Sequence, residues 1–327
     1  MTTVGARPGR ARRATTVAGL LAATLTASLV AGCTTAGNPG DDGRGRPHPT
    51  SSDRTGTGSA LAVKIDNARA ARPQTGLNEA DIVYVEQVEG GLSRLMAVYA
   101  TRLPKTVGPV RSARESDLEL LAQFDRPTLA FSGAQSKLLP LIDKAPLRAE
   151  PPGRAAGAYV RGTDRPAPHN LFLRPRALVP NAPGTDVLTT GYRFGAAPAG
   201  GEATAAQSVR YPAARFTFTW SGSEKRWLVA MDGRAASTAD GGRIGAGTVV
   251  VQYVKVRTSS FGDFLGNNTP FTETVGAGTA RVLRDGRAYD VRWKRAKAAD
   301  GTTFTTRDGR PMTFQHGQVW VVFAKAS

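Results

Sequence analysis

Cysteine and histidine are scarce in this chain, with one and three copies among 327 residues. A single cysteine, Cys33, excludes an intrachain disulfide framework and a Cys-based metal site. His48, His169 and His316 are too widely spread for H-E-x-x-H or another paired-histidine spacing, so the usual zinc-hydrolase pattern is missing. G-x-S-x-G and S-x-x-K are absent, as is the phosphate-binding G-x-x-x-x-G-K-[ST]. The expectation is therefore no metal and no cofactor. With no disulfides, a secreted domain has to be held together by burial.

What is present begins with the setting of Cys33. Four arginines (Arg7, Arg10, Arg12, Arg13) precede an apolar stretch from Val17 to Val30, and Leu29-Val30-Ala31-Gly32-Cys33 ends it. The stretch is too short and wrongly flanked for a membrane span and reads as a secretory signal over residues 1–32. Small residues followed directly by cysteine form a bacterial lipobox. The Cys33 thiol is expected to receive a diacylglycerol, with palmitate-type chains, and to become the mature N-terminus on the outer leaflet of the plasma membrane. Two acyl chains anchor stably where one is marginal, each buried methylene contributing about 0.8 kcal/mol. Residues 33–59 are rich in Gly, Pro, Ser and Thr without apolar periodicity, which reads as a flexible tether.

The formal charge is +17 and is unevenly spread. Residues 60–190 hold 17 basic and 13 acidic residues, a net of +4, whereas residues 191–327 hold 19 and 10, a net of +9. A basic segment usually raises nucleic acid, but export argues against it. Outside the membrane the available polyanions are lipid headgroups and wall polymers; a solvated basic surface explains the charge equally well.

The fold class expected is α+β: an α/β domain with a mixed sheet over residues 60–190, then an antiparallel β-rich basic domain over residues 191–327. In the first, Leu61-Ala62-Val63-Lys64-Ile65 reads as a strand ending at Asp66-Asn67. Gly90-Gly91 between two β-prone runs reads as a two-residue hairpin turn, which sets Glu86 opposite Leu95 and makes Glu89 and Arg94 a diagonal pair. Ser112-Ala113-Arg114-Glu115 fits an S-x-x-E capping box before a helix of about three turns, and Thr128 to Phe131 reads as a buried strand. In the second, Asp-Gly-Arg recurs at 232–234, 285–287 and 308–310, each a hairpin signal, and His316-Gly317 is a fourth candidate turn. Around Asp285-Gly286, Arg281 is expected to face Asp290 and Val282 to face Tyr289; Arg292 and Lys294 then share one hairpin face, proposed to contact a polyanion.

The chemistry-bearing residues gather in the first domain: Asp66, Asn67, Glu86, Glu89, Arg94, Arg111, Arg114, His169 and Asn170. Two carboxylates suit acid–base work, and arginines at a helix start suit an anion. Each also has a structural explanation: Glu89–Arg94 as a cross-strand ion pair, Ser112 and Glu115 as a cap, Asn67 in a turn.

Several ordered motifs carry a family resemblance. Val63-Lys64-Ile65-Asp66-Asn67, Ala71-Arg72-Pro73-Gln74-Thr75-Gly76-Leu77, Ala80-Asp81-Ile82-Val83-Tyr84, Val88-Glu89-Gly90-Gly91-Leu92-Ser93-Arg94 and Gly108-Pro109-Val110-Arg111-Ser112-Ala113-Arg114 resemble the N-terminal signature of the YerB-like lipoproteins, domain of unknown function 3048. His169-Asn170-Leu171-Phe172 fits a later motif of that family, and the Asp-Gly hairpins are similar to its second domain, over about residues 60–325 in all. Phe131-Ser132-Gly133-Ala134 departs from it, where a more glycine-rich turn is expected. The resemblance implies a fold and an envelope location; the family carries no established reaction or cofactor. The reading is a membrane-tethered, non-catalytic binding or scaffold protein of the cell envelope, linked to wall assembly, whose partner is anionic wall polymer or a wall-assembly protein and not nucleic acid. The alternative is an envelope hydrolase using Glu86 or Glu89 with His169.

Overall fold

In the computed structural model, which describes residues 58–262 and 266–326, runs of β-branched and aromatic residues become strands. Cys33, the signal segment and the tether through residue 57 lie outside the described residues. The first segment supplies β1 (Leu61–Asp66), β2 (Ile82–Gln87), β3 (Ser93–Tyr99), α1 (Glu115–Leu121), β4 (Thr128–Ala130), α2 (Leu139–Lys144), β5 (Arg148–Ala149), β6 (Tyr159–Arg161) and β7 (Leu171–Leu173). The second supplies β8 (Ala206–Tyr211), β9 (Ala214–Ser221), β10 (Arg226–Met231), β11 (Arg234–Ala235), β12 (Thr248–Val254), β13 (Gly276–Arg284), β14 (Arg287–Arg295), β15 (Thr303–Thr306) and β16 (Val319–Lys325).

The main sheet runs β15-β14-β13-β12-β16-β2-β3-β1-β4-β5, with Glu202–Ala203 beside β14 as its eleventh strand. Strand β16 lies parallel to both β12 and β2, so the last strand of the chain joins the two sequence segments in one sheet. Its run Val319-Trp320-Val321-Val322-Phe323 is buried throughout, as a central strand covered on both faces requires. One face packs on a smaller five-stranded sheet built on β8 to β11. There Trp320 meets Phe216 and Phe218 at ring-centroid distances of 6.3 and 5.9 Å. On the other face Leu120, Leu121, Phe124 and Ile142, on and just after the helices, close over Ala62, Met96 and Val98.

Four expectations are corrected. Among the described residues the fold is mostly β, 44% strand and 12% helical, so an α+β description is loose. The second segment is not purely antiparallel, because β12 and β16 pair in parallel. The β2–β3 connection is not a two-residue turn: Val88 N–H donates to Leu92 O at 2.9 Å across a longer loop, and Glu86 stands opposite Arg94. Gly91, at φ +69°, explains the need for glycine here, since a Cβ on it would lie 2.5 Å from Pro212 Cβ. Lastly, α1 begins after Arg114 and makes about two turns. The Arg114 N–H donates to Asp117 Oδ2 at 2.7 Å, so Asp117 fills the place expected of Glu115, and Ser112 precedes the cap.

The Asp-Gly turns divide. At Asp232-Gly233 and Asp285-Gly286 both residues have positive φ and close two-residue hairpins; Arg281 faces Asp290 and Val282 faces Tyr289, as expected. At 308–309 only the glycine has positive φ. His316-Gly317 is no hairpin: Phe314 pairs with Phe194, whereas Val319 opens β16.

Candidate functional site

Strand β1 delivers two polar residues at its end. Asp66 Oδ2 meets His169 Nδ1 at 2.8 Å and Arg111 Nε at 3.1 Å, while Asp66 Oδ1 accepts from Ala68 N–H at 3.0 Å. The carboxylate is nearly covered, at 5% exposure, and its two partners remain 20% and 25% exposed, so they face solvent over it. Held through Nδ1, the imidazole leaves its Nε2 edge for an external group.

Arg94 of β3 shares the ladder position of Asp66 and Glu86 and leans towards the same cluster. Its guanidinium donates to Ser112 O at 3.0 Å. Among the described residues no carboxylate lies within ion-pair distance of it. Burial first, then the charge of Arg114, pulls the Arg94 pKa down to about 10. Arg114 itself grips Glu89 through Nε at 2.5 Å and Nη2 at 2.8 Å, and the Thr269 hydroxyl also bonds this carboxylate. Burial opposes ionisation of Glu89, but Arg114 and Thr269 outweigh it and hold the carboxyl below its usual range.

Beside this cluster Asn67 is a hub. Its Oδ1 accepts from Arg72 Nε at 3.0 Å and Gln74 Nε2 at 2.9 Å, and its Nδ2 donates to Ser93 Oγ at 2.9 Å. Arg72 crosses to the second segment, donating to Asp232 Oδ2 at 2.8 Å. It also lines an open cleft of about 500 Å³ with Arg69, Gln74, Asp232 and Arg234. Asn170 fastens its own loop: its Oδ1 accepts from Arg161 and its Nδ2 donates to Gly162 O.

The expected constellation therefore separates. Asp66, Arg111 and His169 meet, with Arg94 and the Arg114–Glu89 pair alongside. Glu89 is not the partner of Arg94. Neither Glu86 nor Glu89 contacts His169, because Glu86 points into the interior, where Lys64 bonds it. Arg292 and Lys294 share one face of β14, as expected, and that face is exposed, with buried Val291, Trp293 and Arg295 on the other. Sequence reasoning missed Lys64, Asp117, Arg72 and Asp232. Lys64 had a signal, since strand alternation sets it on the same face as Asp66; Arg72 and Asp232, 160 positions apart, had none.

Lys64 is wholly buried, and its ammonium contacts both Glu86 and Asp117, the latter at 2.7 Å. Burial, opposed by Lys64 and reinforced by Asp117, pushes Glu86 from its ordinary 4.5 up to about 7. Between those values the folded chain keeps a proton that the unfolded chain has released. Stability from this group is thus full at low pH and is lost as pH rises through 7. Glu86→Gln is expected to flatten the decline, measured as denaturation midpoints between about pH 5 and pH 7.5; an unchanged slope would contradict this assignment.

These features define a β-rich protein with an arginine-rich, carboxylate-braced polar face. Its family follows from comparison. Residues 48–188 match the N-terminal domain, and residues 207–321 the C-terminal domain, of the protein family of unknown function DUF3048. The chain belongs to this family. It is 48% identical over 65 residues to "Putative lipoprotein YerB" of Bacillus subtilis (strain 168), a stretch spanning 20% of each chain. The crystal structure of YerB protein from Bacillus subtilis superimposes with a TM-score of 0.68 at 19% identity, covering 82% of this chain and 91% of that one, which shows the fold.

Proposed function

We propose that this chain is a lipid-anchored extracytoplasmic lipoprotein that binds an anionic polymer of the cell envelope without catalysis, in the service of wall assembly. The observation that carries the reading is Arg94: a partly buried guanidinium beside Arg111 and Arg114, with no carboxylate of its own among the described residues. Three guanidiniums face two carboxylates, Asp66 and Glu89, so the cluster has a cation to spare for an external anion. The lipobox at Cys33 and the lipoprotein name of the Bacillus subtilis relative support the location.

Arg94→Met and Arg111→Met test the site. Loss of one charge-assisted hydrogen bond costs about 1.5–3 kcal/mol, so binding to purified wall carrying its phosphate polymer is expected to weaken about tenfold or more. Binding at full strength by both variants would remove the site. A drop in melting temperature with binding unchanged would mark Arg111 as a structural brace of Asp66. The exposed face of β14 is expected to add a salt-sensitive contribution. Reversing Arg292 and Lys294 to glutamate should weaken binding at low salt and have little effect once the screening length falls to about 3 Å at 1 M.

The Asp66–His169 contact favours a second reading, a hydrolase in which Asp66 orients the imidazole as general base. Release of soluble fragments from the same wall preparation, abolished by His169→Ala, would decide for it.

A further inference from the structure

The buried trio of Lys64, Glu86 and Asp117 is not explained by binding at the surface above it. Their side chains are 0%, 3% and 0% exposed. They sit among Ala62, Tyr84, Met96, Ala113, Leu120 and Leu121, between the main sheet and α1. One ammonium faces two carboxyl groups. If both ionised, an uncompensated negative charge would be buried, at a cost of several kcal/mol per ion in general. A proton on one carboxyl balances the trio, and Glu86 is the group that burial inclines to keep it. That leaves a buried ammonium–carboxylate pair, Lys64 and Asp117, with a carboxylic acid touching both.

From this geometry we infer that Lys64 and Asp117 become joined by an intramolecular amide bond, with Glu86 as the proton carrier. Lys64 Nζ lies 2.7 Å from Asp117 Oδ1, so the amine and the carboxyl group it would join are already in contact. The other oxygen, Oδ2, accepts the Arg114 backbone N–H at 2.7 Å, a donor placed where negative charge develops when the carbonyl carbon is attacked.

The step balances as follows in atoms and protons. Lys64 passes one ammonium proton to Oδ1 of Asp117, the oxygen it already touches, and the freed lone pair attacks Cγ, forming the N–C bond. Charge gathers on Oδ2 against the Arg114 N–H. Glu86, as a carboxylic acid, takes one further proton from the nitrogen on its carbonyl oxygen while giving its own to Oδ1; the C–Oδ1 bond breaks and Oδ1 leaves as water with both protons. Glu86 ends as it began. The ammonium, the carboxylate and their desolvation cost are replaced by a neutral amide. Water is scarce in this interior, so the reverse reaction lacks its reactant, and fixed neighbours of this kind react at very high effective concentration. The bond would tie β1 to α1 across 53 positions of sequence. The chain's only cysteine is Cys33, so no disulfide is available to do so.

Tryptic digestion of the purified, folded full chain with tandem mass spectrometry tests this directly. If the bond forms, cleavage after Lys64 is blocked. Residues 55–69 and 115–137 are then recovered as one branched peptide, lighter by one water than the sum of the two. Glu86→Gln and Lys64→Arg should yield the corresponding linear peptides, and both variants should melt at a lower temperature than the parent. Folded parent protein that yields only linear peptides overturns the inference, whatever the variants do. A branch that maps Lys64 to Glu86 overturns the assignment of Asp117 as the acyl group and Glu86 as the carrier.

Discussion

Replacing Lys64 with alanine is expected to destabilise the folded chain by about 3–5 kcal/mol, the usual cost of removing one partner from a buried charge cluster. The substitution leaves Glu86 and Asp117 facing each other without a cation, both covered by the sheet and α1. Asp117 also accepts the Arg114 N–H, so it cannot turn away without uncapping the helix. The measurement is the urea midpoint of the folded domain at neutral pH, with the slope of the transition unchanged. The loss should shrink at lower pH, where Glu86 keeps its proton in the folded state. Combining Lys64→Met with Glu86→Gln and Asp117→Asn should recover the part of the loss that comes from the unpaired buried carboxyl groups, because neutral groups of similar volume can replace buried charges at little cost, but not the part that comes from the amide bond. A single-variant loss below about 1 kcal/mol, the range of exposed pairs, would mean that the trio is open to water.

The second large effect is on location. Cys33→Ala is expected to abolish stable membrane association, leaving the chain either uncleaved or released. The thiol is the only atom in the sequence that can take the diacylglycerol, since there is no other cysteine. A single acyl chain is already marginal for anchoring, and a released chain with none keeps only electrostatic attraction, which salt removes. Detergent-phase partition with a salt wash reads this out. Parent protein should enter the detergent phase, and the variant should not. Equal partition of the two would end the lipoprotein reading.

The features legible in the sequence are those set by neighbours along the chain. The turn at Asp285-Gly286 needs two residues that tolerate positive φ, and once it is fixed, the strand period carries Arg281 to Asp290 and Val282 to Tyr289. The exposed pairing of Arg292 with Lys294 follows from the same period. The buried strand at Thr128–Ala130 was likewise readable from local pattern, as was a helix in this stretch, though not its start after Arg114. The Gly90-Gly91 turn was misread by one register step. Its length is decided by contacts with Pro212 and Ala213, far along the chain, and by the pull of Arg114 on Glu89.

Local pattern had no means of giving the rest. That β16 would enter between β12 and β2, and so bind the two segments into one sheet, depends on edges that exist only once both have folded. His169 reaches Asp66 across 103 positions, and Arg72 reaches Asp232 across 160. The alternation that marked Glu86 as polar did not say whether its face met solvent or α1, and it met α1. By itself, then, the sequence determined which runs become strands and where the Asp-Gly hairpins at 232–233 and 285–286 close, because those follow from covalent neighbours and backbone geometry. The tertiary structure decided which polar residues share a surface and which are sealed inside. Burial and charge pairing are properties of the packed chain, and they kept Asp66, Arg94, Arg111 and His169 of the expected site together at the surface while drawing Glu86 away into a buried trio with the unforeseen Lys64 and Asp117.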